Sequence, residues 1–315
     1  MYKKVHPPYS PMRGSALLSA LFIMTLVTLV VTAMSVRLQL DIYRTQSLLT
    51  NDKLYFSSQY VLFWGISMLE KPEKLNTTNE SGLIATLPNN IQMSYDNIKI
   101  TGALYDLQAK FNINNLRDPN FYPGFISLLN HVGDKSTKTV RTIVKSIAFW
   151  LRPFKIEYHD DPNLAWYLKQ KPPYYPANQM FNSISELHLI HGMDKELYDK
   201  LTPFIMTVPD IARLNIYSAP EILIKTLKPD LKESQIKSLL KERAKKRRDT
   251  YKMNSMVTKF GIPPGLICYE SKYFLTIATI ISHEFTIKVY NVLRKDIDTN
   301  GHTSVFIIKQ SINLA

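Results

Sequence analysis

The chain has 315 residues, 45% apolar and 21% charged, with 10 Gly and 18 Pro. That balance excludes collagen-like, low-complexity and disordered chains. Its 39 basic and 26 acidic side chains leave a net charge of +13, which favours an anionic partner without choosing among phosphate, a membrane surface and an acidic protein. The single cysteine, Cys268, excludes an intrachain disulfide scaffold and a cysteine-built zinc cage.

From Gly14 through Val36 no side chain is charged, whereas Lys3, Lys4 and Arg13 precede that stretch. As a helix it reaches about 34 Å, enough to cross a hydrocarbon core. The flanking cations predict a cytoplasmic N-terminus, with everything after Arg37 on the far side of the membrane. A secretory signal peptide would begin similarly, with Ala33-Met34-Ser35 as its cleavage site. The apolar run is too long for a signal core, however, and no Gly or Pro interrupts the chain between Ser15 and Trp64. Ile42, Leu49, Phe56 and Phe63 recur every seven residues, with Leu48, Tyr55, Leu62 and Leu69 as a second row beside them. Arg44, Asn51, Asp52 and Ser58 occupy the other side. The pattern predicts that one helix continues from the membrane run to near Pro72, amphipathic in its second half.

A short basic leader, Gly14, and then Ser15-Ala16-Leu17-Leu18-Ser19-Ala20-Leu21-Phe22 resemble a type IV prepilin signal. The resemblance implies cutting after Gly14 by a membrane prepilin peptidase and methylation of the new N-terminus, Ser15. Pilins and pseudopilins usually carry glutamate at the fifth mature position, which here is Ser19. A carboxylate at bilayer depth is costly unless a cation neutralises it, which in a filament is the neighbouring subunit's amino group. A subunit with Ser19 needs no such neighbour and suits a filament end.

Residues 73–90, rich in Asn, Thr, Ser, Glu and Gly, read as a solvated loop. Strand patterns follow at Ile91–Tyr95, Ile98–Thr101 and, in short runs, Ala103–Ile113. Asn120 to Gly261 reads as helices punctuated by proline. Strands return at Tyr273–Ile281, Glu284–Leu293 and Ser304–Ile308, with Asn300-Gly301 as a hairpin turn. The order predicts an α+β fold: a long N-terminal helix packed on an antiparallel sheet, with an inserted all-helical (SAM-like) domain. The expected segments are a leader (1–14), a transmembrane part of the helix (15–36), the first part of the α+β domain (37–116), the helical insertion (117–266) and the closing strands (267–315).

Four stretches resemble the minor pseudopilin family called general secretion pathway protein K, of the bacterial type II secretion system. Gly102-Ala103-Leu104-Tyr105-Asp106-Leu107-Gln108-Ala109-Lys110-Phe111-Asn112-Ile113-Asn114 is similar to its Gly-x-x-x-Asp-x-Gln-x-x-Phe-Asn-x-Asn signature. Pro173 to Asn178, with Ser183-Ile184-Ser185-Glu186-Leu187 and His191-Gly192-Met193, is similar to a second block. Leu214 to Leu223 is similar to a third, with Tyr217 where Asn is usual, and Ser271 to Leu275 opens the last sheet segment as the family does. The resemblance implies a non-enzymatic subunit of the bacterial inner membrane, single-pass, with its globular part in the periplasm. It further implies a place at the tip of a short pseudopilus, started with minor pseudopilins I and J and supporting export of folded proteins. Ile42, Leu49, Phe56 and Phe63 would then pack on neighbouring helices. The prepilin peptidase, the inner-membrane assembly platform and exported substrates would be further partners.

Independently of that resemblance, Asp106, Asn112 and Asn114 fit side chain-to-backbone turns beside a β segment. Asn178 and Asn215 each precede a helical pattern, as N-caps do, and Ser183 with Glu186 fits a capping box. No cofactor is expected. Relatives often bind calcium near a Trp-x-Asp stretch, but here Trp150-Leu151-Arg152 puts arginine at that place. Glu157, Asp160 and Asp161, beside Arg152 and Lys155, read as a solvated loop, poor in the charged oxygens calcium prefers. His188 and His191 lack the glutamate of a zinc-peptidase helix and read as a surface pair on one helix. No nucleophile elbow or phosphate loop marks a hydrolase. The basic run from Lys237 to Lys252 admits a second reading, a membrane-tethered helix-hairpin-helix DNA receptor. Its turns, His191-Gly192-Met193-Asp194 and Leu227-Lys228-Pro229-Asp230, place aspartate where phosphate would sit, so nucleic acid is not the expected partner.

Overall fold

A computed structural model describes residues 13–70, 82–88, 98–153, 155, 161–245, 248–282 and 286–314. Two compact units divide the chain, 1–56 and 57–315. In the first, every described residue from Arg13 to Phe56 belongs to helix α1 (Arg13–Glu70). It is long and apolar enough to cross a membrane. All side chains from Ser15 to Gln46 are exposed. Within the apolar run, the hydroxyls of Ser19, Thr25, Thr28 and Thr32 bond the helix's own carbonyls three or four residues back. No hydroxyl among these four demands a partner from lipid.

The second unit begins inside α1 and continues with β1 (Leu83–Thr86), β2 (Lys99–Asp106) and β3 (Phe111–Asn112). The helical block follows as α2 (Tyr122–Val132), α3 (Thr137–Leu151), α4 (Pro162–Leu168) and α5 (Lys195–Leu201). After β4 (Ile205–Met206) and β5 (Leu214–Asn215) come α6 (Glu221–Thr226), α7 (Glu233–Arg243) and α8 (Thr250–Phe260). The chain closes with β6 (Ile267–Cys268), β7 (Tyr273–Ile281), β8 (Thr286–Ile297) and β9 (Thr303–Leu314). One antiparallel sheet runs in the order β1-β2-β7-β8-β9. Leu62 and Leu69 of α1 cluster on one face of that sheet with Ile84, Leu104, Phe274 and Leu293. Each buried leucine contributes about 1.5–3 kcal/mol. The approach is close because Gly65 and Gly102 carry no side chain: a Cβ on Gly65 would stand 2.4 Å from Thr276 Cγ2, and one on Gly102 2.6 Å from Val61 Cγ1. The mixed fold matches the expected class.

The helical block has its own core, in which Val140, Ile143, Val144, Ile147 and Leu151 form one stripe of α3. Ser136, Asp161, Asp194 and Asp249 cap α3, α4, α5 and α8, and Gly261 ends α8 in the left-handed region at φ 66°. Helices dominate the block, but two parallel two-residue pairs, β3 with β4 and β5 with β6, stitch it.

Local expectations fare unevenly. Leu83–Thr86 is an edge strand, not solvated loop: Ile84 buries itself in the α1 cluster, within a three-residue apolar run (Leu83 to Ala85) hidden in a polar segment. The strand expected at 91–95 lies outside the described residues. β9 runs to Leu314, six residues beyond the expected end, because pairing with β8 carries the polar Lys309-Gln310-Ser311 stretch. The turn before it is wider than Asn300-Gly301. Asp298 Oδ1 accepts from Asn300 N and His302 N at 2.9 and 2.7 Å, and Gly301 supplies φ 83°.

Candidate assembly interface

The second half of α1 sorts its residues by face. Leu62 and Leu69 of the second predicted row are buried and Tyr55 is half-buried, while Leu48 is exposed. The other row faces outward entirely: Ile42 is 48% exposed, Leu49 56%, Phe56 69% and Phe63 65%. Four large apolar side chains at seven-residue spacing on one helix are thus exposed together. Gly14 and Ser15, the predicted processing site, fall in the first turn of α1. Ser19 bonds Ser15 O at 2.9 Å, so this position is self-satisfied where a glutamate would need an outside cation.

Behind the sheet, the signature polar residues converge into a buried joint with the helical block. Asp106, at the end of β2, accepts from Gln108 N at 2.8 Å through Oδ1. Its Oδ2 accepts from Asn215 Nδ2 at 3.0 Å, Ser218 Oγ at 2.5 Å and Ser271 Oγ at 2.8 Å. Burial pushes this carboxyl above the ordinary range, against the pull of those hydrogen bonds. Gln108 donates to Arg213 O at 2.8 Å and accepts from Lys272 N at 2.5 Å. Asn112 donates to Asp210 O at 2.8 Å and accepts from Val208 N at 3.2 Å. Asn114 donates to Phe181 O and Val208 O at 3.0 and 2.9 Å and accepts from Phe181 N at 2.8 Å. Asn115, which the sequence did not single out, clamps Ala212 through both N–H and C=O at 2.9 and 2.7 Å. The sequence quoted Ser218 and Ser271 only as parts of motifs. Fixed to backbone or to one another, these groups position segments of the fold.

The turn roles of Asp106 and Asn112 stand as read, and Ser183 with Glu186 forms a capping box on a short 3₁₀ turn. Asn114 instead reaches across the fold. Asn178 is not an N-cap: it sits at φ 50° and its amide donates to Arg152 O at 3.0 Å. Asn215 accepts from Tyr217 N at 2.9 Å in a local turn, while the cap position of α6 is Pro220. His188 and His191 are not a pair on one helix. His188 lies against Tyr198, with ring centroids 3.8 Å apart, and His191 stacks on Trp166 at 4.4 Å. Burial lowers the pKa of His191.

Much of the basic run is engaged within the fold. Lys245 and Lys252 hold the buried Glu242 at 2.7 and 3.2 Å, Arg243 donates to Ala219 O, and Arg248 lies 4.8 Å over the Tyr217 ring. Lys246 and Arg247 lie outside the described residues. Of the acids weighed for calcium, Glu157 and Asp160 also lie outside them, and Asp161 caps α4 through Asn163 N at 2.8 Å. Among the described residues no group of three His, Cys, Asp or Glu side chains is arranged to hold a metal ion. Desolvation pushes the thiol of the half-buried Cys268 up to about 12.

Fold and surface define a class: a mixed α and β chain with a long N-terminal helix apolar enough to cross a membrane, an antiparallel sheet and a helical block. The particular family comes from comparison. Residues 109–210 match the family model for "Type II secretion system (T2SS), protein K". Type II secretion system protein K of Aeromonas hydrophila is 27% identical over 69% of this chain and 68% of its own length. The protein of that name from Pectobacterium carotovorum subsp. carotovorum is 24% identical over 74% of this chain and 76% of its own. In fold the chain is similar to a chain of the crystallised GspK-GspI-GspJ complex from the enterotoxigenic Escherichia coli type 2 secretion system. The TM-score is 0.65 at 20% identity, covering 86% of this chain and 99% of that one. These findings bear out the resemblance read from the sequence: the chain is related to type II secretion system protein K, a minor pseudopilin.

Proposed function

We propose that the chain is a non-enzymatic tip subunit of a type II secretion pseudopilus, starting its assembly and thereby supporting export of folded proteins. The observation that carries this reading is the outward row Ile42, Leu49, Phe56 and Phe63 on a helix whose N-terminal half is apolar all round. Such a row costs solubility in a solitary protein and gains stability only against a second helix. The solved relative was crystallised as a GspK-GspI-GspJ complex, which supports minor pseudopilins of types I and J as the neighbours. In this reading the leader is removed after Gly14 by the prepilin peptidase, and Ser15 becomes the methylated N-terminus. The helix is held in the inner membrane, where the assembly platform engages it, with the globular unit in the periplasm. No cofactor takes part, and Ser19 frees the subunit from a charge-neutralising neighbour.

The test is to co-produce the chain with its I- and J-type partners and extract all three from membranes in mild detergent. Wild type recovers both partners; Leu49→Glu with Phe56→Glu loses them by tenfold or more, since charge on a buried seam is strongly disfavoured. Undiminished recovery with both glutamates in place contradicts the reading.

A further inference from the structure

The inner face of the sheet is not fully covered by its own chain. α1 lies over β2, β7 and β8, through Leu104, Phe274 and Leu293. β9 extends past that cover. Ile307 pairs with Leu293 and Ile312 with Val289, both partners fully buried, so these isoleucines face the α1 side. Gln310 shares that face, donating to Asn291 Oδ1 at 2.7 Å, while Asn291 in turn donates to Thr276 Oγ1 beneath Gly65. Yet Ile307 is 50% and Ile312 48% exposed. Along β9 this face carries no charge, and the one lysine beside it, Lys295 of β8 opposite Val305, is buried; the only charged residue of β9, Lys309, points the other way and donates to Asn182 O at 2.8 Å. Lysine on an edge strand ordinarily repels partners, and here it is drawn off.

A sheet face of this kind is buried by a helix or by another sheet. The backbone edge itself suits strand addition poorly, because the register of β9 against β8 skips Ile308 and the bulge interrupts the hydrogen-bonding row. The apolar shelf lies on the same side of the sheet as α1, whose Phe63 is 65% exposed. We propose that the Ile307/Ile312 shelf of β9 seats the long helix of a neighbouring pilin-like subunit, on the face of the sheet that α1 leaves uncovered. The occupant's matching face is apolar and uncharged. This rests on the assembly reading above, and it assigns the neighbour a second, separate footing.

The experiment uses the full chain co-produced with its I- and J-type partners, with partner recovery as the readout. Ile307→Glu and Ile312→Glu lower recovery about tenfold or more. Ile307→Thr and Ile312→Thr, which keep a β-branched strand residue, lower it less but in the same direction. If the Leu49 and Phe56 glutamates abolish recovery while all four shelf variants leave it intact, the shelf proposal is overturned and the assembly reading stands. If wild type recovers no partner, the assembly reading falls and the shelf with it. A benzophenone on Ile312→Cys in a Cys268→Ser background reports the occupant directly, since Cys268 is half-buried and the only native cysteine. Adducts with the partner's N-terminal helix support the proposal; adducts with a partner strand, or with a second copy of this chain, overturn it.

Discussion

The polar joint and the apolar stripe invert the usual distribution of side chains. Asn112, Asn114, Asn115 and Asp106 are at most 3% exposed, whereas Phe56 and Phe63 stand largely in water. The inversion separates two tasks. Amides and a carboxylate placed inside, with every donor matched, specify how the sheet meets the helical block. Large apolar groups left outside are, in the proposed reading, what other chains bind. The Ser218 and Ser271 hydroxyls of the joint both donate to the buried Asp106 carboxylate, which ties them into the network.

Four substitutions break or sharpen this contrast, beginning with the largest expected loss of stability. Asp106→Ala removes the acceptor of two hydroxyls and a backbone N–H and leaves the Asn215 amide only Ser271, and should cost roughly 3–5 kcal/mol in urea unfolding of the detergent-solubilised chain. A loss under about 1 kcal/mol would mean that water fills the joint readily. Asn114→Ala removes three bonds to Phe181 and Val208 and should cost about 2–4 kcal/mol by the same measurement. Gly65→Val drives a side chain into Thr276 and should cost about 1–3 kcal/mol; adding Thr276→Ser, which deletes the crowded methyl and keeps the hydroxyl, should restore part of it. Phe56→Glu should move stability by less than about 0.5 kcal/mol while abolishing recovery of partner subunits. A large stability loss there would place Phe56 in the core and remove it from the seam.

How legible each part was depends on the range of the interactions involved. The helix, its apolar run and its two rows are periodic, so the sequence displayed them directly. The turns at Asp106 and Asn112 were legible because each side chain bonds a backbone group two residues on. The joint as a whole was not. Asp106 reaches Asn215 and Ser271 across more than a hundred residues, and no local pattern marks such partners. Asn178 misled for a related reason: the residue tolerates the left-handed region as readily as it caps helices, and a contact with Arg152 decided between them. The shelf stayed hidden because the local pattern ended the last strand at Ile308, short of Ile312, and no sequence signal marks how far α1 covers the sheet.

The central claim is that α1 survives processing as one uninterrupted anchor and assembly element. The most direct measurement is the intact mass and N-terminal sequence of the protein extracted from membranes. The account predicts a chain beginning at methylated Ser15 that stays in the membrane through alkaline washing. A product that starts at Met1, or beyond Ser35, would contradict it.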